Sequence, residues 1–470
     1  MNAKWFPGVV AAVSSALACG CAVTPTAESS SNGNGLEAQS RSPSGHGIAT
    51  EAQRFASGQP DELRPFFRAL YIEGEHNAVL NFDYLGLAAL ESGQYEISAK
   101  AFDAAISRIE AIYANNPSAQ KAKSLFAEEK VKDFKGEPYE RAMTYFYRGL
   151  LYAHSGDYQN ARASFLSAES QSMMSESESY QSTFGLMDYL AGWASYCDGD
   201  DSAAAELGAR AATLQPQIFG VLSDQVNFIG LIDVGTGPVK YGIGQYHEKL
   251  AFKASGRTPG VADVHVSSAT LSAPTLAADL NFQAMTRGGR PVDAILNGKA
   301  EWKSNTEGAS TALTAAGYTA TLEGAVTNNQ NLQSAGEIGM VVGLMGGLFA
   351  KAMTPAADMR TWSSLPAAIV LVAGQLPSGT APAMTFTVAP DGSPASASLA
   401  AHAGRCSIAW GEAPSRLESA AAQVATPVLA EGRHEAANAQ LRSYLETTFA
   451  GGQAASIAEQ PGSAVRSEAP

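Results

Sequence analysis

A chain of 470 residues is too long for one compact core, and about two to three domains is the expectation. Hydrophobic residues make up 45% and charged residues 16%, which suffices to bury cores, while the formal charge is −14. No Lys/Arg cluster supplies the basic face that binding to phosphates requires, and the same balance argues against a polybasic grip on anionic lipid.

The first residues read as an export signal. Met1 to Lys4 form a short positive region and Val9 to Ala18 an apolar one, too short for a spanning helix of about 20 residues. Ser15-Ala16-Leu17-Ala18-Cys19 resembles a bacterial lipobox, with Cys21 the alternative acyl acceptor. Ala16-Leu17-Ala18 also satisfies the ordinary signal-cleavage rule, so plain secretion is the competing reading. A stretch from about Thr24 to Thr50, with Ser29-Ser30-Ser31-Asn32-Gly33-Asn34-Gly35 at its heart, is too polar to offset chain entropy and reads as a tether. No Asp follows either cysteine, which by proteobacterial sorting rules favours the outer membrane, periplasmic face.

A repeat follows. Gly86 and then Gly93-x-Tyr95-x-x-Ser98-x-x-x-Phe102-x-x-Ala105 is the first copy. Gly149 and then Gly156-x-Tyr158-x-x-Ala161-x-x-x-Phe165-x-x-Ala168 is the second. Gly192 and then Gly199-x-Asp201-x-x-Ala204-x-x-x-Gly208-x-x-Ala211, ending at Pro216, is the third and most degenerate. The frame resembles the tetratricopeptide repeat. Its first glycine admits a close neighbour, and its second permits positive φ in the turn. Small residues then alternate with an aromatic so that paired helices nest. The copies start 63 and 43 residues apart instead of about 34, so extra helix is expected over Ile106 to Ala127 and Ala168 to Ser182, with a partial repeat at Asp61 to Ile72. Stacked repeats leave one face free. The aromatics Tyr145, Phe146, Tyr147 and Tyr152 cluster on one helix; most read as core, with Tyr145 and Tyr152 the candidate partner contacts. A plain helical bundle without a ligand groove is the competing reading.

The periodicity changes at about Gln217. Gln225 to Val234 reads as a strand, Gly235-Thr236-Gly237-Pro238-Val239-Lys240 as a turn, and Lys249 to Ala254, Val261 to Ser267 and Asn281 to Met285 as further strands. A Gly-x-Gly followed by proline, without a third glycine or partner acid, is a weak nucleotide signal. After Gly288-Gly289, Val292 to Leu296 is another candidate strand, and Leu313 to Met353 is expected to be helical. Within that helix Gly339, Gly343 and Gly347 share one face. Its apolar run Ile338 to Ala350 has 13 residues, about 20 Å of helix against the roughly 30 Å of a bilayer core. It reads as a buried helix. Arg416 to Phe449 is expected to be helical and the last twenty residues disordered. The expected organisation is therefore α+β: signal peptide 1–18, lipid attachment and linker 19–50, tetratricopeptide-like helical repeats 51–216, a mixed α/β domain 217–412 and a helical then disordered tail 413–470.

Chemistry is sparse. His46, His76, His154, His247, His265, His402 and His434 lack metal-ligand spacing, and no phosphate loop or Gly-x-Ser-x-Gly elbow occurs. The chain is read as no enzyme, with no cofactor and no metal. Cys197 and Cys406 lie 209 positions apart; they read as two separately buried thiols, with pairing in an oxidising compartment the alternative.

Phe134-Lys135-Gly136-Glu137-Pro138-Tyr139-Glu140-Arg141, the Gly235-to-Lys240 turn, Asp358-x-Arg360-Thr361-Trp362-x-x-Leu365-Pro366 and Cys406-Ser407-Ile408-Ala409-Trp410 occur in that order. Together, over about residues 50 to 412, they look like a family of bacterial cell-envelope lipoproteins with tetratricopeptide-like repeats. Its relatives are similar to surface-assembly lipoproteins such as the curli secretion lipoprotein. The resemblance implies envelope location, a helical front, a mixed rear and no established chemistry. The segment Ala300 to Leu332, polar and rich in Ala, Thr and Gly, departs from it. In the residues themselves, Glu137, Tyr139 and Arg141 mark a helix start, and Arg360 is placed to fork onto Asp358 while Trp362 plugs a core. The functional expectation is a lipid-anchored scaffold holding protein partners in the envelope, touching the membrane through its N-terminal lipid only and binding no nucleic acid. The alternatives are a periplasmic enzyme or carbohydrate binder with its site in the rear domain, and an oligomer assembled through the Gly339/Gly343/Gly347 face.

Overall fold

The computed structural model describes residues 45–114, 133–172, 184–219, 226–285, 357–429 and 434–450, apart from short gaps at 245–246, 248, 267–268, 378, 381 and 390–391. The leader, Cys19 and Cys21, the strand at Val292 to Leu296, the helix with Gly339, Gly343 and Gly347, and the final twenty residues lie outside them.

The architecture is α+β. Helix α1 (Gly45–Ser57) includes the end of the expected tether. It forms because Ile48, Ala52 and Ala56 recur at four-residue spacing and are all buried. Helix α2 (Arg64–Glu73) follows a 3-10 turn. Three helical hairpins come next: α3 (Ala78–Glu91) with α4 (Tyr95–Ala114), α5 (Pro138–Ser155) with α6 (Tyr158–Ser172), and α7 (Gly185–Asp198) with α8 (Asp201–Leu214). Each hairpin turns on a left-handed glycine, Gly93 (φ 73°), Gly156 (φ 80°) and Gly199 (φ 92°). An ideal Cβ on Gly86 would sit 2.7 Å from the Phe102 ring, and one on Gly149 2.6 Å from Phe165. The glycine-aromatic spacing of the sequence is thus a packing contact between the two helices of a pair.

Strands β1 (Phe228–Val234), β7 (Ala368–Gln375), β10 (Leu399–Ala403) and β11 (Cys406–Ala413) form the main sheet in the order β10-β11-β1-β7, with β5 (Thr270–Leu271) and β6 (Thr275–Asp279) both on β7. β1 and β11 run parallel, Phe228 opposite Ser407 through Val234 opposite Ala413, and both are buried along their whole length. Strands enclosed on both faces read as continuous apolar runs. A three-stranded sheet, β4 (Val261–Val266), β8 (Met384–Val388) and β9 (Ser393–Ser396), packs on one face against Phe228, Ile232 and Val370. The helices cover the other face. β2 (Val239–Ile243) and β3 (Lys249–Lys253) pair as a separate ribbon.

Two expectations are corrected. Asn281 to Met285 belongs to a short helix, α9 (Leu280–Met285), not a strand. Asp279 accepts the Phe282 N–H at 3.0 Å as a helix cap, and Leu280 and Ala284 bury with helical spacing. Arg416 to Phe449 is two helices, α10 (Leu417–Gln423) and α11 (Glu435–Thr448). Pro427 lies between them, where it lacks a donor and disfavours helix in its predecessor. α11 is no loose tail: Phe449 packs edge-on to Phe67 at 5.1 Å, and the Asn438 side-chain amide oxygen (Oδ1) accepts the Glu75 N–H at 2.9 Å.

Candidate functional site

The chemistry of the chain concentrates on the seam where the inner helices α3, α5 and α7 meet the main sheet. Nearly every residue of these three helices is buried: α4, α6 and α8 cover one side, and on the other the sheet covers α5 and α7 while α10, α11 and the loop at Thr361–Ser363 close over α3. The face that a repeat stack would leave free is filled by this chain's own strands.

The repeat frame makes the attachment. Tyr95 donates its hydroxyl to the Ser398 carbonyl at 2.6 Å, and Tyr158 donates to the Ala403 carbonyl at 2.8 Å. In the third frame the equivalent slot holds Asp201, whose carboxylate accepts from Arg405 at 2.9 Å. The first residue of the second helix in each of three helical hairpins therefore grips the same β10–β11 hairpin. Gly156 lies so close to that hairpin that a Cβ would meet the Ala403 side chain at 2.9 Å. Beside these contacts Cys197, at the end of α7, is bonded to Cys406, at the start of β11, with Cα atoms 5.7 Å apart. The reading of two separate thiols is corrected: helix end and strand start are brought together by the seam, which no local spacing reveals.

The remaining frame residues Ala105, Ala161, Phe165, Ala168 and Ala204 are buried between helices, Gly192 lies on buried α7, and Pro216 in the turn after α8. Tyr145 is buried with its hydroxyl donating to Glu110 at 3.2 Å; Tyr152 is half-buried beneath the Arg148 guanidinium at 3.5 Å. Helix α5 begins at Pro138, where the Glu140 carboxylate accepts the Glu137 N–H at 2.7 Å and so caps the first turn.

That same carboxylate is the centre of a clamp. It also accepts Lys240 Nζ at 2.8 Å, the Trp362 N–H at 2.8 Å and the Thr361 hydroxyl at 3.1 Å. Lys240 donates further to the Arg360 carbonyl at 2.7 Å, and Arg360 forks onto Asp358 as expected, at 2.9 and 2.6 Å, while reaching Asn77 on the helical side at 2.7 Å. Four donors occupy both oxygens of Glu140, which leaves it suited to fastening helix, ribbon and loop together rather than to taking up a ligand. Above it Asp83 accepts the Thr144 hydroxyl at 2.9 Å, and burial pushes its carboxyl well above the usual range. The turn Gly235-Thr236-Gly237 serves the same seam. Gly237 donates to the Leu365 carbonyl at 2.8 Å, where any side chain would collide with that backbone.

A second polar group was not legible in the sequence. Asp233 and Glu412 stand opposite each other on the parallel strands β1 and β11. Tyr147 donates to Asp233 at 2.7 Å; Arg416 lies 3.9 Å from Asp233 and 3.3 Å from Glu412, and donates to the Ser364 carbonyl at 2.9 Å. Burial raises Asp233 to about 6, against the lowering effects of Arg416 and Tyr147. Glu412 is raised well above its ordinary value, chiefly by burial. Two buried acids facing one arginine hold a proton at mildly acid pH. The only sequence signal was Asp233 interrupting an otherwise apolar strand.

Comparison with family models, with curated proteins and with solved structures finds no match.

Proposed function

We propose that the chain is an exported envelope lipoprotein, acylated at Cys19 or Cys21, that acts as a non-catalytic scaffold built on three degenerate tetratricopeptide-like repeats. The glycine-aromatic nesting of two pairs and the left-handed glycine turns of all three support the repeat reading. The observation that carries the compartment is the Cys197–Cys406 bond, since such bonds persist in oxidising compartments and are reduced in the cytosol. The scaffold reading rests on the filled seam: polar side chains between helices and sheet are spent on one another, and the repeats hold the chain's own sheet as their first ligand. Protein partners are then left the outer faces of α4, α6 and α8.

Labelled palmitate in the expressing bacterium tests the anchor. Label is expected on the wild type and lost in Cys19→Ser or Cys21→Ser; an unlabelled wild-type chain refutes acylation. Gentle crosslinking of intact envelopes tests the scaffold, and recovery of no stoichiometric partner refutes it.

A further inference from the structure

The ribbon β2–β3 has two unlike faces. Its inner face carries Lys240, bonded to Glu140, and Phe252, which meets the Tyr139 ring edge-on at 6.0 Å. Alternation then turns Val239, Tyr241 and Ile243 outward, and they are 39%, 40% and 43% exposed. Three large apolar side chains in a row on one exposed strand face, in a chain whose central strands β1 and β11 are buried along their whole length, mark an interaction surface. Both ends of one segment border this ribbon. α9, packed beside β3, ends at Met285, which is half exposed. The chain is described again at Ala357, whose N–H donates to the His247 carbonyl in the β2–β3 turn at 2.9 Å. Exposed Met359 follows, next to the Arg360 carbonyl that accepts Lys240.

Between those ends lie residues 286–356, and within them the apolar run Ile338 to Ala350, bracketed by Glu337 and Lys351. We propose that the outward face of Val239, Tyr241 and Ile243 is the docking site of Ile338 to Ala350 of the same chain. Reach allows it. Ala350 is seven residues from Ala357, a span of up to about 24 Å, whereas a five-residue strand is about 16 Å long. Tethering at both ends favours this occupant over any partner free in solution. The inference is independent of the scaffold reading.

A photo-crosslinking amino acid at Tyr241 of the purified full chain tests it. The expected product has monomer mass and joins position 241 to a peptide from 338–350, about tenfold above the yield from the exposed control Val428. Adducts of dimer mass, adducts to lipid in phosphatidylglycerol vesicles, or yields no higher than the control overturn it. As a second measurement, Val342→Glu with Leu344→Glu should raise hydrogen exchange in the peptide spanning 239–243 by about tenfold; unchanged exchange also overturns it.

Discussion

Substituting Glu140→Gln tests whether the seam is held by its buried charges. The carboxylate accepts four donors within 3.1 Å, and the Lys240 side chain that it balances is only 1% exposed. A glutamine offers one acceptor oxygen and turns an NH2 group toward two of those donors, leaving the buried ammonium ion only the Glu137 carboxylate, 3.9 Å away, as counter-charge. Removing one partner of a buried pair destabilises by about 3–5 kcal/mol, because the orphaned ion keeps its desolvation penalty. The midpoint of thermal unfolding, followed by circular dichroism, should fall by about 3–8 °C. Adding Lys240→Met removes the orphan while keeping its bulk, so the double variant should recover most of the loss despite the unmet Arg360 carbonyl. A Glu140→Gln loss below about 1 kcal/mol, the level of an exposed pair, refutes the reasoning, as does a Lys240→Met change that adds to the loss.

The disulfide closes a loop of 209 positions, and its removal by Cys406→Ser should cost about 2–5 kcal/mol; melts of wild type with and without reductant should differ by the same amount. Gly149→Ala places a Cβ 2.6 Å from Phe165 and should cost about 1–3 kcal/mol, with Phe165→Leu in the same chain restoring part of it in urea unfolding. Asp233 is raised in the folded state to about 6, so folding takes up a proton there. Its contribution favours the native state at low pH and is lost as pH rises from about 4 to about 6, by on the order of 3 kcal/mol. His76 and His154, lowered chiefly by burial, act with the opposite sign below their ordinary value. Comparing melts of wild type and Asp233→Asn across pH 4–8 isolates the term: the variant should show a shallower fall between about 4 and about 6, since the raised carboxyls of Asp83 and Glu412 still contribute, and parallel profiles would refute the assignment. Tyr158→Phe should cost about 1 kcal/mol through the Ala403 carbonyl, read by the same melts.

Local spacing carried the helical pairs into view. A glycine that must admit a ring, a glycine that must turn left-handed and a proline-capped helix start are each decided within a few residues, so Gly86 with Phe102, Gly156 and Pro138 could be read before any fold was known. The strands β1, β3 and β4 and the Arg360–Asp358 fork were legible for the same reason, whereas β2 takes up Val239 and Lys240, which read as the end of a turn. Short apolar runs at Asn281 and after Arg416 were not, because a single capping aspartate or proline outweighs periodicity over so few residues.

What only tertiary structure decided is what the helical hairpins hold. Tyr95, Tyr158 and Asp201 look like internal members of a helical frame, yet their polar ends meet Ser398, Ala403 and Arg405, about two to three hundred residues further along the chain. The parallel pairing of β1 with β11 and the Cys197–Cys406 bond span similar separations. Such contacts depend on which buried faces find each other, and a face of alternating side chains states that it must be covered without stating by what. Helices specify themselves through neighbours three and four residues away; a seam is specified only when both of its sides exist.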